Sequence, residues 1–115
     1  MIHQDDLKSF RIACDLAHEL AKYCGASIAV FEAKRRPLAT GTEGISYCNE
    51  KRIAIAFRFK QPQSEGGEWF KNPIPLKMVL ETVAHEVAHL IHPNHGKDFW
   101  TLEKQLIDYV RRKYE

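Results

Sequence analysis

The sequence predicts an α+β fold: an N-terminal helix, a small sheet of about three strands containing an antiparallel pair, then two further helices. Three observations carry that reading. Apolar residues recur at three- and four-residue spacing over 7–24, 76–90 and 99–110, the period of a helix with one buried stripe. Short runs rich in Ile, Val and Phe lie between the first two of these, and one alternates with period two. Gly, Pro and Asn fall between the runs, where neither period continues.

Asp5 or Asp6 is placed to cap the first helix. Leu7, Phe10, Cys14, Ala17, Ala21 and Cys24 give its apolar face, widened by Ile12, Leu16 and Leu20, and Gly25 is placed to end it. His18-Glu19 reads as surface. Ser27 to Glu32 is a first strand, broken by Lys34-Arg35-Arg36-Pro37, a basic cluster that reads as a solvated loop. Gly41 and Gly44 bracket a turn, Ile45 to Cys48 is a second strand, and Asn49-Glu50-Lys51 turns into a third. In that third strand Ile53, Ile55, Phe57 and Phe59 alternate with smaller or polar residues. Gln61 to Asn72 reads as a loop, with Trp69 and Phe70 anchoring it.

Pro73-Ile74-Pro75 leads into a helix whose core stripe is Leu76, Leu80, Val83, Val87 and Leu90. Lys97-Asp98 opens the last helix, with Phe99, Leu102, Leu106, Tyr109 and Val110 on its buried face. Arg111-Arg112-Lys113 sits at its C-terminal end, where cations suit the helix dipole, and reads as a solvated end.

The second helix carries His85-Glu86-Val87-Ala88-His89, the densest chemistry in the chain. Histidines four apart lie one turn above each other on one face, so both imidazoles can reach one ion. The glutamate between them is placed to take a proton from a metal-activated water. Zinc in a catalytic site usually takes three protein ligands and leaves a fourth position open. Two further histidines compete for the third place. His92 stands seven residues from His85, a rise of about 10 Å along a helix, too far for two Zn–N bonds of about 2.0–2.1 Å to one ion. Pro93 pushes His92 out of helical geometry, so the helix ends there and the chain turns. His95, beyond the turn, comes back over the His85/His89 face and is taken as third ligand. Four of the six histidines fall between residues 85 and 95, a concentration that favours a metal centre over scattered surface histidines.

The 115 residues and 44% hydrophobic content suit one domain, 1–115, with one modest core. A net charge of +2 is too small to imply a nucleic-acid partner. Cys14, Cys24 and Cys48 are odd in number and contain no C-x-x-C pair, which argues against a disulfide framework and for a reducing compartment. No apolar run approaches a membrane span of about 20 residues. The acidic, polar first residues do not read as a signal peptide. A soluble cytoplasmic protein is expected, with no membrane association.

The run His85-Glu-Val-Ala-His-Leu-Ile-His-Pro-Asn-His95-Gly-Lys-Asp-Phe-Trp100 resembles the core of the SprT-like and YgjP-like zinc metallopeptidases, related to the WLM group. The likeness is strong over residues 76–103 and architectural before that; Gly44-Ile-Ser-Tyr-Cys48 followed by Arg52-Ile-Ala-Ile is loosely similar to the family's hairpin. The resemblance implies a minimal zincin-like fold with Zn2+ on His85, His89 and His95. It also implies Glu86 as general base and a protein or peptide as substrate. Many SprT-like proteins add a cysteine zinc ribbon, and those tied to DNA–protein crosslink repair add DNA-binding segments. Neither is recognisable here, so a nucleic-acid partner is unsupported.

Glu81, one turn before His85, and Asp98, just past His95, are candidate acceptors for the imidazole N–H groups. Tyr47 and Lys97 are candidate oxyanion donors. Two other readings stay open: a zinc-bound scaffold without catalysis, which an intact Glu86 argues against, and a gluzincin-type peptidase with Glu103 in place of His95.

Overall fold

The computed structural model describes residues 6–33, 44–60 and 70–114. Among the described residues, the first and second helices pack against a three-stranded mixed sheet, and a third helix packs on the second. Helix α1 spans Leu7–Tyr23 and buries Ala13, Leu16, Ala17, Leu20 and Ala21. It ends as the glycine predicts. Gly25 takes φ +76°, its N–H bonds to the Lys22 carbonyl at 3.0 Å, and the Ala26 N–H reaches the Ala21 carbonyl at 2.8 Å. That pair of bonds is a Schellman closure, open to glycine because it has no Cβ. At the other end the capping expectation fails: Asp6 occupies the N-cap position, but its buried side chain makes no cap hydrogen bond. Asp5 lies outside the described residues, as do the basic cluster 34–37, Gly41 and Trp69.

Strands β1 (Val30–Ala33), β2 (Gly44–Tyr47) and β3 (Arg52–Ile55) form the sheet in the order β1-β3-β2. The hairpin is antiparallel, with Ser46 opposite Ile53 and Gly44 opposite Ile55, whereas β1 runs parallel to β3. A 3-10 turn over Cys48–Glu50 and a left-handed Lys51 (φ 51°) join β2 to β3.

The third strand departs from its expected form. Its alternating run divides after Ile55, and Arg58–Lys60 forms β4, which pairs antiparallel with β5 (Phe70–Pro73) in a separate two-stranded sheet. The end of the expected loop is therefore a strand. The missing alternation within β3 has a packing cause. β3 is the central strand and buries Ile53, Ala54 and Ile55 in succession, so it has no solvent face to alternate with.

Helix α2 spans Leu76–Ile91 and packs against α1, α3, β2 and β3. Being surrounded, it buries more than one stripe: Val79, Ala84 and Ala88 join Leu80, Val83 and Val87. Leu76 and Leu90 stay half-buried at its ends. Helix α3 spans Lys97–Tyr114 and buries Phe99, Leu106 and Val110. Tyr109, expected inside, is 36% exposed. It sits at the margin of the stripe, and its hydroxyl donates to Glu19 on α1. The C-terminal cations are partly engaged: Arg111 pairs with Glu81 at 3.3 Å and Lys113 with Glu19.

Candidate metal centre

Helix α2 stops at Ile91, and His92 takes an extended conformation (φ −126°, ψ 94°) before Pro93. The chain then turns through Asn94, where the Gly96 N–H meets the Asn94 carbonyl at 2.8 Å, and enters α3. This short turn lays His95 back over α2. The ligand atoms of His85, His89 and His95 all lie within 4.8 Å of one another, and His95 Nε2 is 2.8 Å from His89 Nε2. His92 is not in the cluster.

The Nδ1 atoms of His85 and His89 both face oxygen acceptors. His85 Nδ1 contacts a Glu103 carboxylate oxygen from α3, and His89 Nδ1 lies 3.2 Å from the His92 carbonyl. Carboxylate and carbonyl oxygens only accept, so both Nδ1 atoms carry the proton. In a neutral imidazole the Nε2 lone pair is then free to ligate. Burial disfavours the charged form of His89: desolvation is the main cause that lowers its pKa, opposed by the His92 carbonyl and helped by the neighbouring His85 and His95.

The residues fit a tetrahedral ion. Bonds of about 2.0–2.1 Å at tetrahedral angles place ligand nitrogens about 3.4 Å apart. The His89–His95 pair at 2.8 Å is closer than that, and the limit of 4.8 Å across the cluster leaves only small side-chain rotations to make.

Phe99 forms the floor. It is fully buried, and its ring centroid lies 5.1, 4.3 and 4.8 Å from those of His85, His89 and His95. Trp100, 49% exposed, stacks on His95 at 5.2 Å. One face of the cluster is thus covered by a buried ring, while His95 and Trp100 meet solvent.

Glu86 does not face the solvent side. It is 4% exposed, and Ser46 Oγ on β2 lies 2.9 Å from Glu86 Oε1 and 2.6 Å from the Glu86 carbonyl. Two residues along, the Cys48 thiol donates to the His89 carbonyl at 3.1 Å. Alternate residues of β2 and the turn after it, Gly44, Ser46 and Cys48, therefore all meet α2.

Of the candidate acceptors, Glu81 pairs with Arg111 rather than with an imidazole, and Asp98 is exposed in the first turn of α3. Glu103 sits at Nδ1 of His85, outside the three-histidine cluster. Tyr47 lies under the Arg52 guanidinium, 4.0 Å from its ring centre, and Lys97 is exposed. Sequence reasoning passed over two residues: Glu103 as an acceptor for His85, and Ser46. Glu103 had a signal, being one turn after Phe99 on the same face of α3. Ser46 had none, since its partner is 40 residues away.

All three cysteines are free, and none belongs to the cluster. Among the described residues no helix is long and apolar enough to cross a membrane.

The α+β fold thus brings three imidazoles together at the end of an H-E-x-x-H helix. Residues 74–115, covering α2, the turn and α3, match the YgjP-like metallopeptidase domain, and the resemblance read from residues 85–100 holds. Among solved structures the fold is similar to Wss1 from Saccharomyces cerevisiae, with a TM-score of 0.75 and 16% identity over 96% of this chain and 81% of that one. It is also similar to Wss1 from S. pombe, with a TM-score of 0.67 and 20% identity over 90% of this chain and 80% of that one. At such identities the likeness is one of fold. No curated protein sequence matches the chain.

Proposed function

We propose that this chain is a zinc metallopeptidase that cleaves internal peptide bonds of a protein or peptide, with His85, His89 and His95 as ligands and Glu86 as general base. The observation that carries the reading is the three-histidine cluster, with Nδ1 of His85 and of His89 each set against an oxygen acceptor and Nε2 of His89 turned toward His95. A metal role explains why three imidazoles converge on one point with no carboxylate among them.

Bound there, zinc supplies Lewis acidity toward a water molecule and the scissile carbonyl. Glu86 accepts the proton that the water loses and returns it to the leaving amine. Glu103 and the His92 carbonyl fix the ring orientations of His85 and His89, and a carboxylate on Nδ1 raises the basicity of the ligating nitrogen. Phe99 keeps water from the inner face of the rings, and Trp100 braces His95 from the outside.

The test is metal analysis of the purified protein together with digestion of an unfolded protein, the fragments being mapped by mass spectrometry. One zinc per chain is expected, with cleavage lost in a chelator and restored by added zinc. Cleavage that survives complete metal removal overturns the reading.

A further inference from the structure

Glu86 is buried yet must work as a base, so something has to hold its carboxylate in a productive position. Two residues of β2 stand at that carboxylate. The Ser46 hydroxyl is 2.9 Å from Oε1. A Cβ added to Gly44 would come within 3.0 Å of both Glu86 Cγ and Oε2. Gly44 and Ser46 are two apart, so they share the face of the strand turned toward α2. Their positions are fixed by the register of the hairpin, Gly44 against Ile55 and Ser46 against Ile53, both of whose partners lie in the core.

We infer that Ser46 is a positioning residue for the general base: its hydroxyl holds Glu86 Oε1 while Gly44 leaves room for the rest of the carboxylate. The inference rests on the assignment of Glu86 as base proposed above. A hydroxyl has one hydrogen, and Ser46 Oγ has two acceptors in reach, Oε1 and the Glu86 carbonyl at 2.6 Å. Donated to Oε1, that hydrogen fixes the oxygen against β2; donated to the carbonyl, it ties the same strand to the backbone of α2 at the same residue. β2 is an edge strand of the three-stranded sheet.

The test compares Ser46→Ala and Ser46→Thr with the parent chain on a quenched fluorogenic peptide spanning a mapped cleavage site. Zinc affinity is measured in parallel by chelator competition. Ser46→Ala is expected to lower kcat about tenfold, the scale of one hydrogen bond to a charged group, with KM and zinc affinity unchanged. Ser46→Thr, which keeps the hydroxyl, is expected to retain most of kcat. An Ala variant with the parent's kcat overturns the inference while leaving the peptidase reading intact. So does an equal loss in both variants, or a loss that tracks zinc release, because either would mark a packing effect. A parent that holds zinc but cleaves nothing overturns the peptidase reading, and the role of Ser46 with it.

Discussion

Glu103 of α3 accepts the Nδ1 proton of His85, which lies 18 residues earlier on α2. The contact links the two helices at the point where α2 presents its first imidazole, and it sets which nitrogen faces the cluster. Removing a partner of this kind typically costs about 10–100-fold in metal affinity. Glu103→Ala is therefore expected to weaken zinc binding by that range, and Glu103→Gln by less, since its amide oxygen still accepts. Chelator competition measures both. If Glu103→Gln released the metal as completely as loss of a ligand does, Glu103 would be a ligand and the gluzincin reading would be correct.

Glu86→Gln keeps the side-chain shape and can still accept from Ser46, but it cannot take a proton. Zinc content should match the parent, and kcat should fall about 10²–10⁴-fold, the usual worth of a general base. Metal analysis and turnover on one preparation decide it. A variant that cleaves at the parent's rate removes Glu86 from the chemistry and favours a scaffold role for the domain.

The helices and the histidine turn were legible in sequence because their causes are local. Gly25 ends α1, Pro93 ends α2, and the 85/89 spacing places two imidazoles on one face whatever surrounds them. What the sequence hid is set by non-local packing. Whether β3 alternates depends on its being central, and where it stops depends on Arg58 pairing with Pro73 across a connection that sequence does not constrain. Glu103 was visible as a cleft carboxylate, but only the crossing of α3 over α2 places it at Nδ1 of His85.

Gly44 is where the hairpin comes closest to α2. An added Cβ would sit 2.8 Å from Thr82 Cγ2 and 3.0 Å from two Glu86 atoms. Gly44→Ala must push β2 outward or move Glu86, and overpacking of this kind costs about 1–3 kcal/mol. Denaturant unfolding of the metal-free protein should register that loss. Activity should fall further than stability alone explains, because the base moves with the strand. An alanine variant as stable and active as the parent would mean that β2 has slack against α2.

Burial depresses the His89 pKa, so the folded chain resists protonating it while the unfolded chain does not. The unfolded state then binds more protons below the ordinary histidine value of about 6.5, and stability rises with pH across that window. Metal-free protein should accordingly lose stability as pH falls from about 6.5 toward the lowered folded value. His89→Gln should flatten that part of the profile. Thermal melts at a series of pH values, in chelator, check the slope; a variant with the same slope as the parent would place the effect elsewhere.

The two histidines on either side of the turn do different work, and substitution separates them. His95 brings a ring nitrogen to 2.8 Å from His89 Nε2. His92 serves His89 through its main-chain carbonyl, 3.2 Å from Nδ1, and its own side chain is outside the cluster. Alanine at position 92 keeps that carbonyl, and Pro93 still directs the chain out of the helix. His92→Ala should therefore leave zinc affinity close to the parent's, and His95→Ala should lower it sharply by leaving only two imidazoles. Trp100→Ala provides an intermediate, since it removes the ring stacked on His95 at 5.2 Å without removing a ligand. The expected order of affinity is parent and His92→Ala first, then Trp100→Ala, then His95→Ala, measured by competition with a chromophoric chelator. A metal lost from His92→Ala but kept by His95→Ala would reassign the third ligand.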